Sequence, residues 1–273
     1  MRPGRTLTDY GPWALVTGAS SGIGEQFARQ LAAAGLNLLL VARRVDRLER
    51  LRAELAQAHG VQVEWVGADL ASPDAVGHIL SAAAGRDIGL VVSNAGFGLK
   101  GGFGCHSAAQ LDAILNVNAR APLLLLHGLL PQLRPRPAAG VILTGSQEGE
   151  VPFPWSAAYA ATKAFIHSLG QSLHGELDGT GVDLLVLAPG ATDTEALPLQ
   201  GFDPGQMPGV MAPAEVVRQA LDRLGRTPLH IPGAMNRLFM RLLRLLPRRR
   251  AIAAAGGGMA AALEKAGRPV GKS

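Results

Sequence analysis

Short runs of consecutive apolar residues alternate along this chain with longer stretches in which apolar side chains return every three or four positions. The short runs are 13–16, 37–42, 61–66, 88–92, 140–144, 182–187 and 229–233. Apolar character without alternation marks strands covered on both faces, as in a parallel sheet. Between them, Ile23, Phe27 and Leu31 share a helical face, as do Leu48, Leu51 and Leu55 within 46–60. Further helices are predicted through Ile79, over Asn116 to Ala119 and the leucine run behind it, from near Ser156, and from Pro213. Gly35 and Gly60 stand where two of the helices end, as a left-handed C-cap requires. Seven strands alternating with helices predict an α/β fold, a doubly wound parallel sheet with helices on both faces. Residues 191–212 are rich in Pro, Gly and apolar side chains without a clear period, which predicts a mobile flap. Residues 1–233 read as one domain and 234–273 as a basic amphipathic helix with a low-complexity tail. In that helix Leu238, Phe239, Leu242, Leu245 and Leu246 form one face and Arg237, Arg241 and Arg244 another. Beyond Ala251 the Ala/Gly run is expected to be poorly ordered.

Composition narrows the class. Of 273 residues 48% are hydrophobic and 17% charged, which excludes a disordered or fibrous chain. Cys105 is the only cysteine and the histidines show no metal-ligand spacing, so neither an internal disulfide nor a metal site is expected. The net charge of +5 is concentrated at one end: from Ala234 onward nine basic residues face Glu264 alone, leaving −3 for residues 1–233. A basic tail on an acidic body predicts no nucleic-acid partner. The start lacks a signal-peptide core, and the run 121–130 is shorter than the roughly 20 residues a bilayer demands, so the expected location is cytoplasmic. The tail helix can lie on anionic lipid, giving peripheral membrane contact through 237–250; it can equally cover a pocket or dock on a second subunit, and packing on protein is the favoured reading.

The first strand runs straight into Thr17-Gly-Ala-Ser-Ser-Gly-Ile-Gly24 and a helix. Gly18, Gly22 and Gly24 let the backbone turn sharply and approach a pyrophosphate, which Ser20, Ser21 and Ile23 would also border and the helix N-terminus would stabilise. This octet resembles the cofactor loop of the short-chain dehydrogenase/reductase family. The second strand ends at Arg43 and Arg44 with no acidic residue. An acid there would favour NAD(H) through the ribose, whereas arginine pairs with a 2′-phosphate, so NADP(H) is the expected cofactor. Under the resemblance Asp69, next to Leu70, binds the adenine amino group, and it can also cap the helix that follows. Ser93-Asn94-Ala95-Gly96 resembles the family's Asn-Asn-Ala-Gly motif, with Ser93 at its first position. Pro189, Gly190 and Thr192 would border the cofactor, Thr192 at its pyrophosphate.

Tyr159-Ala-Ala-Thr-Lys163 puts a phenol and an ammonium four residues apart on one helical face, where the cation favours phenolate. With Ser146 thirteen residues upstream and Asn118 in an apolar helix, the set resembles the family's catalytic tetrad on a Rossmann fold. The resemblance implies hydride transfer between nicotinamide and a carbonyl carbon. Tyr159 would exchange the proton, Ser146 hydrogen-bond the oxygen, Lys163 hold the nicotinamide ribose, and Asn118 position a relay water. Phe97, Val151, Phe153 and Trp155 fall in segments expected to ring the site, pointing to an apolar ketone, aldehyde or alcohol of fatty acyl, steroid-like or aromatic type. Glu148 can face either the pocket or solvent. The resemblance also implies a homodimer or homotetramer. The other readings are a non-catalytic dinucleotide-binding regulator and a lipid-surface protein defined by its tail.

Overall fold

A computed structural model describes residues 5–207 and 209–267. Seven parallel strands form one sheet in the order β3-β2-β1-β4-β5-β6-β7. They are β1 (Trp13–Thr17), β2 (Asn37–Ala42), β3 (Val63–Gly67), β4 (Ile88–Ser93), β5 (Ala139–Thr144), β6 (Val182–Leu187) and β7 (Leu229–His230). Every residue of β1, β4, β5 and β6 is buried, which is why their sequences read as unbroken apolar runs. The pleat divides them between two cores. Ala14, Val16, Leu38 and Leu40 face one side, with α1 (Gly22–Ala33), α2 (Val45–His59) and α8 (Pro213–Arg223). Leu15, Leu39, Val91 and Val141 face the other, with α3 (Ala75–Ala83), α5 (Ala121–Leu133) and α6 (Ala157–Glu176). Because β1 pairs with β2 on one side and β4 on the other, the winding reverses there. The C-terminal ends of β1 and β4 therefore flank the switch point at which doubly wound sheets hold ligands.

α4 (Ala108–Leu115) joins α5 through a π-helical turn, Asn116–Arg120. The 26-residue helix so formed is longer than the leucine run alone indicates and, by length and composition, could cross a membrane. Here it is a core helix: α5 packs on α3, β4 and β5, and α4 on α6.

Past α7 (Ala196–Leu199) and α8, the chain ends in α9 (Ala234–Leu245) and α10 (Arg248–Lys265). The expectation of a poorly ordered Ala/Gly run beyond Ala251 is therefore corrected, while residues 268–273 of that tail lie outside the described residues. Ala251, Ala255, Gly256 and Leu263 of α10 are buried. A Cβ on Gly256 would stand 2.8 Å from Pro154 Cγ. Small side chains let α10 approach the 153–155 loop closely, and that packing outweighs glycine's poor helix propensity. The segment 191–212, expected as a flap, contains α7 and is tied down by Leu197 and Phe202 against Leu263.

α6 sits close to the sheet because Gly170 has no side chain; a Cβ there would overlap Val186 Cγ2. Gly170→Ala gains about 1 kcal/mol of helix propensity but overpacks a tight contact at a cost of ~1–3 kcal/mol. Denaturant unfolding should show net destabilisation, and adding Val186→Ala should restore part of it.

Candidate active site

The glycine turn after β1 closes on the end of β4. Gly18 has φ +69°, and a Cβ on it would lie 2.9 Å from Ala95 Cα. A Cβ on Gly24 would overlap the Gly18 carbonyl. Only glycine permits this compact turn. Thr17 Oγ1 accepts the backbone N–H groups of Asn94 at 2.9 Å and Ala95 at 3.0 Å, so Asn94, Ala95 and Gly96 are pinned beside the turn. Ser21 is the N-cap of α1, and the N–H groups of Gly22, Ile23 and Gly24 belong to the first helical turn, where no intrahelical acceptor exists. Arg44 donates to Ser20 Oγ at 3.2 Å and Ser21 Oγ at 2.6 Å. Its third partner is Glu195 at 2.7 Å, and Arg47, absent from the sequence reading, reaches the other oxygen of that carboxylate at 2.6 Å. Arg43 is exposed. Across the turn, Gly22 abuts the Thr194 methyl group, so the 189–195 segment covers the glycine loop. There Thr192 is buried, with its hydroxyl donating to the Gly190 carbonyl at 3.1 Å, and the Pro189 carbonyl accepts the Gln147 N–H. Asp69 is exposed and its carboxylate accepts the Ala71 N–H at 3.1 Å, a turn-forming bond, while Leu70 packs in the core.

Asn118 lies in the π turn and is buried. Its Oδ1 accepts the Phe97 N–H at 3.1 Å, and its Nδ2 donates to the Phe97 carbonyl at 3.0 Å and to Thr162 Oγ1 at 3.2 Å. The amide thus fastens the loop after β4 to α6, a task additional to the relay expected of it.

β5 delivers Thr144 and, two residues on, Ser146 to the sheet edge, and α6 presents Tyr159 and Lys163 to the same place. Lys163 is buried and donates to the Thr144 carbonyl at 2.8 Å. Tyr159 keeps part of its surface exposed, yet protein crowds its hydroxyl, which is hydrogen-bonded to Ser146. Ser146, Tyr159, Lys163 and Asn118 are therefore brought together. The expected acidity of the phenol does not follow in the chain by itself: burial and the nearby Glu148 charge push its pKa up, and only the Ser146 hydrogen bond pulls it down. The Lys163 ammonium is 5.6 Å from the ring centroid and is engaged with Thr144 instead. Burial pushes Lys163 down to about 8, against the opposing pull of Glu148.

Glu148 faces inward, paired with a residue the sequence reading did not single out. Lys100 donates to both its oxygens at 2.6 Å and to Ser156 Oγ at 2.8 Å, and Ser156 donates back to the carboxylate at 2.5 Å. The Lys100 ammonium stands 4.5 Å from the Tyr159 ring centroid, and burial lowers its pKa despite Glu148. A second buried pair lies behind Ser146. His167 Nε2 accepts the Ser146 N–H at 3.4 Å, its Nδ1 meets Glu150 Oε1 at 2.9 Å, and Arg244 of α9 pairs with Glu150 Oε2 at 2.9 Å. The hydrogen bond from His167, with the Arg244 charge, keeps Glu150 below the usual carboxylate range. Among the residues expected to ring the substrate, Phe97 is exposed beside Asn118 and Trp155 adopts a strained φ of +65° under α10. Phe153 is buried with Ile231, Met240 and Leu243, and Val151 packs on the same cluster.

A match to the family described as short chain dehydrogenase spans residues 12–200. The 7β-hydroxysteroid dehydrogenase of Collinsella aerofaciens is 32% identical over 232 residues, 84% of this chain and 88% of that protein. A solved structure from work on 7β-hydroxysteroid dehydrogenase stereoselectivity superposes with a TM-score of 0.85 at 28% identity over 92% of this chain and 99% of its own. A short-chain dehydrogenase from Sphingobium yanoikuyae in complex with NADPH gives 0.77 at 33% identity, covering 87% of this chain and 96% of its own.

The chain has only two tyrosines, so in a Tyr10→Phe background tyrosinate absorbance reports Tyr159 alone. Because Glu148 opposes the phenolate, Glu148→Gln should move that ionisation to lower pH. An unchanged or higher midpoint would remove Glu148 from the electrostatics of the site.

Proposed function

This chain belongs to the short chain dehydrogenase family, and from that premise we propose that it interconverts a carbonyl and an alcohol on a bulky apolar molecule with NADP(H). The observation that carries this reading is the meeting of Ser146, Tyr159 and Lys163 at the C-terminal edge of β5, with Asn118 one turn of α6 away through Thr162.

The residues present fit a nicotinamide dinucleotide. The turn of Gly18, Gly22 and Gly24 offers a cradle that any Cβ would fill, facing the free N–H groups at the start of α1. Two features favour NADP(H) over NAD(H). No acid follows β2, and Arg44 and Arg47 already share one carboxylate, Glu195, in a donor set suited to a phosphate. The NADPH complex of the Sphingobium yanoikuyae relative supports the same choice. When bound, the cofactor supplies or takes the hydride.

The chain's own residues do the rest. Ser146 and Tyr159 present two hydroxyls to one substrate oxygen, and the Tyr159 hydroxyl gives its proton as the oxygen becomes an alcohol. A raised pKa keeps that proton in place until charge develops on the oxygen, which suits the reductive direction. Lys163, fixed by Thr144, can hold a ribose hydroxyl, and Asn118 holds the loop at Phe97. Phe97, Val151 and Trp155 supply an apolar wall, and the 7β-hydroxysteroid dehydrogenase relatives support a steroid-like or similarly bulky substrate. Leu115, Leu123 and Phe165 are exposed on α4, α5 and α6, which supports a homodimer through that side of the sheet.

NADPH oxidation against a panel of bulky ketones tests the assignment. Tyr159→Phe should lower kcat by roughly 100- to 10,000-fold, and an inactive wild type with tight NADPH binding would indicate a regulator instead. Glu195→Gln removes a carboxylate that competes for Arg44 and Arg47. As an exposed pair is worth about 1 kcal/mol or less, KM for NADPH should fall by up to about fivefold with KM for NADH unchanged.

A further inference from the structure

α9 has two apolar faces, and only one is used. Asn236, Met240 and Leu243 are buried against the body, Arg237 donates to the Ile231 carbonyl at 3.1 Å, and Arg244 is held by Glu150. On the other side Met235, Leu238, Phe239, Leu242, Leu245 and Leu246 stand in solvent, Leu238 with 58% and Leu245 with 81% of its surface exposed. No other segment among the described residues exposes so many large apolar side chains. Clustered exposure of this kind marks an interaction surface.

The surroundings indicate what covers it. Arg241 on α9 and Arg248, Arg249 and Arg250 in the first turn of α10 are exposed, and between Ala234 and Gly267 seven basic residues stand against Glu264 alone. A two-fold contact with a second copy through this face would set these arginines against their own counterparts. A groove of about 320 Å³ at the α9–α10 elbow is lined by Val151, Pro152, Leu243, Leu246 and Ala251 together with Arg248 and the Arg244–Glu150 pair. An apolar stripe with exposed guanidinium groups on and beside the same helix, continuing into a largely apolar groove that carries Arg248, matches a layer that is apolar below and anionic at its surface.

We propose that the outer face of α9 and the α9–α10 elbow form a docking surface for an anionic lipid bilayer. The helix lies in the plane of the headgroups, its leucines below them and its arginines level with the phosphates. The surface belongs to the substrate side of the molecule: α9 shares a buried cluster with Phe153, and α10 packs through Leu263 on Leu197 and Phe202. Docking would therefore bring the site's apolar surroundings toward a phase in which apolar molecules concentrate. The surface itself does not depend on the proposed reaction.

Co-sedimentation of the full chain with phosphatidylcholine vesicles, and with vesicles containing equal parts of phosphatidylcholine and phosphatidylglycerol, tests the proposal. Binding is expected to the anionic vesicles only and to weaken as salt rises. Leu242→Glu with Leu245→Glu, both on the exposed face, and separately Arg249→Glu with Arg250→Glu, should each reduce the bound fraction by at least about tenfold. Circular dichroism and NADPH oxidation with a water-soluble ketone should be unchanged, so loss of docking is distinguishable from loss of fold or of the reaction. Equal binding to both vesicle types, or wild-type binding by either double variant, would overturn the proposal. So would no vesicle binding at all, and if the leucine variant then converts a dimer to a monomer, the face is a contact between copies.

Discussion

The hydrogen bond from the buried Lys163 ammonium to the Thr144 carbonyl fixes the geometry on which the site depends. An ammonium taken out of water without an acceptor loses its charge or destabilises the fold. Here the acceptor is the last carbonyl of β5, the strand that leads directly to Ser146. One contact therefore sets the distance between α6 and the sheet edge and, a turn earlier along α6, the place of the Tyr159 hydroxyl. Glycine assists wherever backbones must come close: Gly170 against Val186, and Gly149 against the Lys163 backbone, 2.8 Å from its carbonyl carbon if it carried a Cβ.

A buried ion pair and a buried histidine–carboxylate hydrogen bond surround this contact, and the ion pair is no stabilising device in itself, because desolvation offsets most of its Coulomb gain. Lys100 with Glu148 places a negative charge where it raises the pKa of both Tyr159 and Lys163. Glu150 with His167 braces the Ser146 backbone from behind and, through Arg244, connects it to α9. For Nε2 of His167 to accept from Ser146, the ring proton must sit on Nδ1 and point at Glu150. The charges are thus arranged around reacting groups, and the apolar cores on the two sheet faces supply the stability that holds them there.

Much of this was legible in the residues. Strands buried on both faces announce themselves as apolar runs, so all seven were located to within a few residues, and the glycine turn, Ser146, Tyr159 and Lys163 stand in local patterns that survive folding. What stayed hidden depends on partners far apart in the chain. Nothing near Lys100 points to Glu148, nor near Glu150 to His167 and Arg244, and Arg47 acquires meaning only once Glu195 lies across it. The helix of α10 is hidden because its propensity is poor and its small residues matter only against Pro154. The surroundings of Tyr159 are hidden for a related reason: helical spacing shows that Lys163 shares its face, but not that Thr144 holds the ammonium while Glu148 and burial oppose the phenolate.

In the central claim, Tyr159 is a phenol with a crowded hydroxyl that keeps its proton through binding of a reduced, uncharged nicotinamide, and whose ionisation would become easier beside an oxidised, positively charged one. Isotope-labelled tyrosine NMR follows this directly, since Tyr159 and Tyr10 give the only two signals and Tyr10, bonded to Asp183 at 2.7 Å, serves as control. The expected result is a Tyr159 ionisation above that of ordinary tyrosine without cofactor, moving to lower pH on addition of NADP⁺ while Tyr10 does not move. A Tyr159 that ionises at the ordinary value without cofactor, or whose ionisation NADP⁺ leaves in place, would contradict it.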